Sequence, residues 1–386
     1  MRYPVQVAGS AGALASEMPA RWIVSRRFDL GWFFGGAAGS LAVIGLYFGV
    51  GVPILVVWWT WLLAFDGPHI AAAFTRTYLD REEWRVRRGV LVRGLLIFAV
   101  GPMLLLLGLA TDSAVPFQLF LAAAVIYAYY HVVRQHYGFL ALYRAVNGER
   151  DRFDRIVDTW TLYVGLWAPY LYFGLSHPRA RRVMSLPSAG PGVVVIEGVV
   201  ILAAVVWGLT LAAFLAHVVA ARSRRNHPKI AYLLTTVLLY GLIYFLIARF
   251  EPAYAESNGP DQDFLLLSVL ITVFHNVQYL GLVWFYNRNR YGQASPSVGP
   301  AWWINRSLGR FLTACGLFSI VYLLFACWAD VFPGCSVFTG FSLGAITASQ
   351  IGLCLWWGLA LQHYYLDQRI WRLSADAALK RYLQLA

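Results

Sequence analysis

From about residue 30 to near its C-terminus the chain alternates between long apolar runs and short polar gaps. A helix needs roughly 20 mostly apolar residues to cross the hydrocarbon core of a bilayer. Runs of that length lie near 30–50, 53–74, 89–110, 116–143, 158–176, 192–219, 229–249, 263–285, 309–330 and 341–364. Several gaps carry Pro, Gly, Asn or Asp, as connectors between consecutive helices do. The pattern predicts an all-α fold, a polytopic transmembrane helical bundle of about ten helices. It divides the chain into an N-terminal segment 1–29, a helical domain over 30–366 and a tail over 367–386. The 158–176 run is the least regular, being short and rich in Trp, Tyr and Pro. No repeat of fixed period is visible, and no segment is long and polar enough to form a second domain.

Composition sharpens this reading. Hydrophobic residues make up 59% of the 386 and charged residues only 13%, whereas a soluble domain is about half apolar and a quarter charged. An ordinary cytosolic protein is excluded, and so is disorder, since aromatics alone reach 16%. A formal charge of +12 would suggest nucleic-acid binding in a soluble chain, but here the charges are confined to the gaps. They therefore read as topology. With the N-terminus inside, the cytoplasmic gaps hold Arg81, Arg85, Arg87 and Arg88, then Arg144, Arg150, Arg152 and Arg155. Arg222, Arg224, Arg225 and Lys229 follow, then Arg288, Arg290, Arg306 and Arg310, with Arg369, Arg372, Lys380 and Arg381 in the tail. The outer gaps hold few, and the 251–262 loop is acidic through Glu251, Glu256 and Asp261. Arg179, Arg181 and Arg182 are the exception. Both termini are therefore expected in the cytoplasm of a multi-pass protein of a bacterial-type inner (plasma) membrane, with basic loops touching anionic lipid and no nucleic-acid partner. The first span, preceded by Arg2, Arg21, Arg26 and Arg27, serves as its own targeting element. Cys315, Cys327 and Cys354 lie in apolar runs and Cys335 in a loop; without a CxxC pair, all four are expected to act as small buried hydrophobes.

Five of the eight histidines sit in or at the end of apolar runs: His69, His131, His136, His275 and His363. Polar groups inside a bilayer are costly, about 2.5–3.5 kcal/mol for a central Asp, Lys or Arg, and normally face the bundle interior. The second, fourth, eighth and tenth spans all run toward the cytoplasm and place their histidines late, at a similar level. Inward side chains on facing helices build metal sites in helical bundles. His131 and His136 are five residues apart, so they diverge by about 140° on an ideal helix and cannot both face one metal without distortion. Arg76 and Asp80 share the face of His69 to within about 20°, and Asp66 lies within about 60°. Asp367 follows His363 by one turn, and Gln278 and Tyr279 follow His275 by one turn. Asp66 and Asp367 suit carboxylates that orient a ligating imidazole, or ligands themselves. Arg134, between His131 and His136, is either a paired structural charge or a receiver for an anionic substrate. Tyr127, Tyr129, Tyr130, Tyr364 and Tyr365 flank the histidines, and helix packing is the favoured role for them.

Histidines on helices near the cytoplasmic face, with one HxxxxH in HVVRQHYG, resemble the His-box membrane oxygenases of the fatty-acid desaturase and hydroxylase type. Those enzymes carry HxxHH pairs, which this chain lacks. GPHIAAAFTRTYLD and HVVRQHYG also resemble the PHGALD and HSxRH segments of the Brp/Blh membrane carotene dioxygenases. The resemblance implies iron held by His69, His131 or His136, His275 and His363, and an oxygenase acting on a hydrophobic polyene or lipid. A His-rich, carboxylate-poor set points independently to a transition metal. The expected function is thus a membrane metalloenzyme, a non-haem iron oxidoreductase (mononuclear or di-iron) using O2 on a lipophilic small molecule, with an electron-donor protein as partner. Asp66, Arg134 and Asp367 are the expected catalytic side chains. Three alternatives stay open: a haem-binding electron-transfer protein, a lipid or polyprenyl transferase, and a transporter with a His/Asp relay. No CxxCH is present for the first, and Gly67-Pro68 is a point where a helix could break for the third.

Overall fold

A computed structural model describes residues 20–220, 226–250, 263–329, 335, 340 and 342–385. Residues 1–19, the connector with Arg222, Arg224 and Arg225, and the acidic 251–262 loop lie outside the described residues. The described chain contains long helices α1 (Arg26–Val50), α2 (Ile54–Thr75), α3 (Arg88–Ala110), α4 (Val115–Val146), α5 (Arg152–Ser176), α6 (Pro191–Ala220), α7 (His227–Phe250), α8 (Asp263–Tyr291), α9 (Leu308–Trp328) and α10 (Ala348–Ile370). Eight of these are long and apolar enough to cross a membrane; α5 and α10 are as long but more polar. The protein is a multi-pass, all-α membrane protein. The strands among the described residues form one small hairpin, Ser342–Leu343 with Ile346–Thr347.

Local chemistry sets the helix ends. Asp151 caps α5, its carboxylate accepting the Asp154 amide at 2.8 Å, so the helix begins six residues before the apolar run at 158. Thr347 and Gln350 form a capping box that starts α10 after the hairpin, later than the expected 341. The helix then runs to Ile370, so Asp367 stands in a helical turn and not in a free tail. The tail folds into the short helix Ala377–Tyr382, capped by Asp376. Arg179, Arg181 and Arg182 fall in another short helix, Pro178–Val183, where Arg181 donates to the Pro187 carbonyl. Cys327 and Cys335 are disulfide-bonded, which corrects their reading as buried thiols. Their Cα atoms are 5.0 Å apart, within bonding range. Cys315 and Cys354 are free and buried.

Gly67-Pro68 does not break α2. The turn Leu62–Asp66 is a π-helix in which the Gly67 amide bonds back to the Leu62 carbonyl, and the helix continues through Pro68 to Thr75. A π turn adds a residue and re-aims the side chains around it. Here those are Asp66 and His69. Gly67 itself is needed for close packing: a Cβ there would lie 2.9 Å from the Ser319 Cα on α9.

The described residues group into two compact units. One contains residues up to Asp29 and His136–Glu251; the other contains Leu30–Gln135 and Pro252–Ala386. In the first, α5 packs against α6 and α7. A buried ion network joins Arg144 and Lys229 to Asp158, each at 2.8 Å, and Lys229 to Glu149 at 2.8 Å. Here α6 is the most lipid-facing helix, exposing Val194, Val195, Ile201, Leu202 and Leu209, a surface that only a bilayer or a partner helix covers. In the second unit α8 is the most enclosed helix, packed against α1 and α2. A cluster of Val57, Trp58, Trp61, Ile70, Val273, Tyr322 and Leu359 fills the interior beside it. The same packing brings α2, α4, α8 and α10 to a common centre.

Candidate metal centre

One buried histidine comes from each of those four helices: His69 from α2, His131 from α4, His275 from α8 and His363 from α10. The His69 Nε2 lies 2.7 Å from the His363 Nε2 and 3.2 Å from the His275 Nε2. His69, His131 and His363 each present a ring nitrogen, and the three nitrogens lie within 4.8 Å of one another. His131 completes the cluster with ring centroids 5.0 Å from His275 and 5.1 Å from His363. All these residues belong to one compact unit.

Hydrogen bonding among neutral imidazoles does not account for this convergence. A neutral ring carries one N–H and one lone pair. The His69 Nε2 can therefore serve one of its two Nε2 neighbours and leaves a lone pair or a proton facing the other. Protonating a ring adds a charge in an apolar surround, which is costlier still. A cation accepting lone pairs from all of them removes the conflict. Nitrogens bound to one metal at about 2.1 Å lie about 3.0–3.4 Å apart in octahedral to tetrahedral arrangements, a range that holds the 3.2 Å spacing and lies just above the 2.7 Å one.

Asp367 sits one turn beyond His363 and faces the same point. Its Oδ2 lies 3.5 Å from the His363 Nε2 and 3.8 Å from the His131 Nε2, while its Oδ1 accepts the Tyr279 hydroxyl. The carboxylate thus approaches the converging nitrogens themselves, whereas the sequence suggested either this role or one behind the rings. The Nδ1 atoms of His69 and His363 are buried without a hydrogen-bond partner among the described residues. Tyr279 packs its ring 4.6 Å from His69, and the Trp371 indole N–H reaches the Tyr279 hydroxyl at 3.5 Å. Tyr364 stacks on His131 at 4.3 Å, a packing contact against the cluster. On the backbone side, Gln135 donates to the His275 carbonyl at 2.7 Å and fixes α4 against α8.

The remaining expected site residues lie elsewhere. Asp66 accepts Tyr322 at 2.9 Å and Asn276 at 3.4 Å, one turn before His69, without touching a histidine. His136 is held by Tyr232 on Nδ1 at 2.8 Å and Tyr240 on Nε2 at 3.1 Å, in the other compact unit. It points away from His131, as a five-residue spacing requires. Arg134 is exposed on α4. Asp80 is a buried cap: its carboxylate accepts the Glu82 and Glu83 amides and pairs with Arg290 and Tyr291, both at 2.7 Å. Tyr322 lies far from any histidine in sequence and Trp371 eight residues beyond His363, and only the fold reveals their contacts with Asp66 and Tyr279. Neither the family models nor the curated proteins nor the solved structures compared with this chain match it.

Proposed function

We propose that this protein is a membrane metalloenzyme whose metal is held by His69, His131, His275 and His363 with Asp367 beside them. The observation that carries this reading is the meeting of three Nε2 atoms within 2.7 and 3.2 Å of His69 as their common member. Imidazole donors favour a first-row transition metal over Mg or Ca. Non-haem iron acting with O2 on a lipophilic substrate is the assignment we favour. The metal would supply an open coordination position where an oxidant and a C–H or C=C bond of the substrate can meet. The chain's own residues would do the rest. The apolar cluster around Trp58, Trp61 and Tyr322 excludes water and suits a hydrocarbon ligand. Asp367, between the histidine nitrogens and the Tyr279 hydroxyl, is placed to hold a proton on Oδ2 while Oδ1 stays hydrogen-bonded. An electron-donor protein is proposed as a partner.

A bis-histidine haem is disfavoured by the same spacing. Its two axial nitrogens would sit about 4 Å apart on opposite faces of a porphyrin, and 2.7 Å between the His69 and His363 nitrogens leaves no room for the ring.

We also infer ten crossings of a bacterial-type plasma membrane, with both termini cytoplasmic. Under that orientation α9 ends outside, and the Cys327–Cys335 disulfide lies where such bonds persist. In intact cells a membrane-impermeant reductant followed by an impermeant maleimide labels this pair if the orientation is right. Labelling only after permeabilisation overturns it.

The function is tested by elemental analysis and an absorption spectrum of the detergent-purified protein, followed by O2 consumption with lipids and carotenoids. One or two irons per chain without a Soret band support the reading, and a stoichiometric Soret band refutes it.

A further inference from the structure

Arg76 ends α2, seven residues beyond His69 and about 10 Å further along the helix. Its side chain is fully buried. Two aromatic rings lie against the guanidinium: the Tyr286 centroid is 3.7 Å from Cζ and the Trp371 centroid 4.2 Å, and the rings, 5.8 Å apart and nearly perpendicular, cover adjacent sides of it. Yet Nε, Nη1 and Nη2 have no hydrogen-bond partner among the described residues. Asp367 and Asp376 are close enough to feel its charge, but neither carboxylate forms an ion pair with it, whereas Asp376 pairs with Arg87. A buried cation is normally paired and hydrogen-bonded. The two rings engage part of its surface and leave its N–H groups without an acceptor among the described residues.

The position of this residue relates it to the histidines. The same three helices that bring together His69, His275 and His363 bring together Arg76, Tyr286 and Trp371 a few turns further on. Tyr286 follows His275 by eleven residues on α8, and Trp371 follows His363 by eight, at the end of α10. Trp371 bridges the two levels through its contact with the Tyr279 hydroxyl at 3.5 Å. The N–H donors, which have no acceptor among the described residues, are what a ligand would engage. A planar fork of N–H donors in that setting matches an oxyanion bound through two oxygens, a carboxylate above all.

We propose that Arg76 is the headgroup site of an amphiphilic ligand: it binds an oxyanion, principally a carboxylate, whose hydrocarbon chain extends toward the histidine level. Binding at Arg76 requires no metal. Only the further statement that the bound chain is the substrate rests on the metalloenzyme reading.

The test uses the purified full-length protein in detergent, with oleate, oleyl alcohol, acetate and inorganic phosphate as ligands. Dibrominated oleate quenching of tryptophan fluorescence, compared with the Trp371→Phe variant, locates the bound chain. In the wild type, oleate binds at least about tenfold more tightly than the alcohol, and quenching is reduced in Trp371→Phe. Arg76→Gln brings acid and alcohol to within about twofold, while Arg76→Lys keeps part of the preference. Equal binding of acid and alcohol by the wild type overturns the proposal, and this comparison needs no variant to fold. A preference that survives in Arg76→Gln overturns it as well. Acetate or phosphate binding as tightly as oleate assigns the site to a free oxyanion and overturns the amphiphile. Metal content measured on the same samples keeps the outcome separate from the metalloenzyme question.

Discussion

His69 on α2 and His363 on α10 face each other with their Nε2 atoms 2.7 Å apart, although 294 residues separate them in the chain. Both rings are buried, and the Nδ1 atom of each lacks a hydrogen-bond partner among the described residues. We propose the pair as two arms of a ligand set that His131 and His275 complete. The consequences can be separated by mutation.

Alanine at His69 or His363 is expected to lower metal affinity by more than about 100-fold, above the 10–100-fold typical of groups that only orient a ligand. Alanine at His136 is expected to leave metal content unchanged. It removes a partner of Tyr232 and Tyr240, so its effect is a stability loss of about 1–3 kcal/mol, the desolvation penalty of a buried polar group. Metal analysis beside thermal unfolding of each variant distinguishes the two. Loss of metal in His136→Ala with normal stability contradicts the assignment.

Tyr279 and Asp367 act as a pair through their hydrogen bond. Tyr279→Phe is expected to weaken metal binding about tenfold or less, because the carboxylate stays in place. Asp367→Asn removes the negative charge facing the His363 and His131 nitrogens at 3.5 and 3.8 Å, and its effect is expected to be the larger. Equilibrium competition with a chelator measures both. Equal and negligible effects would place Asp367 outside the centre.

Gly67→Ala forces a methyl group to within 2.9 Å of the Ser319 Cα. The expected result is a destabilisation of about 1–3 kcal/mol as α2 and α9 separate, together with weaker metal binding, since His69 is two residues away. A wild-type unfolding midpoint in detergent would show that the contact between the two helices relaxes freely.

Asp376, outside the membrane-spanning helices, gives a pH signature. Burial works against its ionisation, but the Leu379 amide and the Arg87 guanidinium outweigh burial and hold its carboxyl below the usual range. A carboxyl depressed in the folded state adds stability above its unfolded pKa of about 3.9, and that stability is lost as pH falls toward the folded value. Protection of the amides in 377–385, relative to their intrinsic exchange rates, is therefore expected to fall below about pH 4. In Asp376→Asn the exchange should already be fast at pH 7, and unaltered protection there would contradict the role of the cap.

Much of the fold was legible in the sequence because a bilayer makes one demand, a run of apolar residues about 20 long. Every run read that way contains a long helix, and the ends differ where local capping decides, as at Asp151 and Thr347. The more polar ends of α5 and α10 reflect what those helices carry: Asp158 of an ion network in one, His363 and Asp367 in the other. The depth of the histidines along their helices was readable, and four of them meet. The departure of His136 was foreshadowed by its spacing from His131, but Tyr232 and Tyr240, its partners, were not. Tyr322, Trp371 and the aromatic cover of Arg76 were invisible, because contacts between helices distant in sequence leave no periodic signal on either one.

The measurement that bears most directly on the account is the metal content of detergent-purified wild-type protein beside His69→Ala, His363→Ala and His136→Ala. The account predicts one or two equivalents of a transition metal in the wild type and in His136→Ala, and loss of that metal in the other two. Substoichiometric metal in the wild type, or full retention in both His69→Ala and His363→Ala, would contradict it.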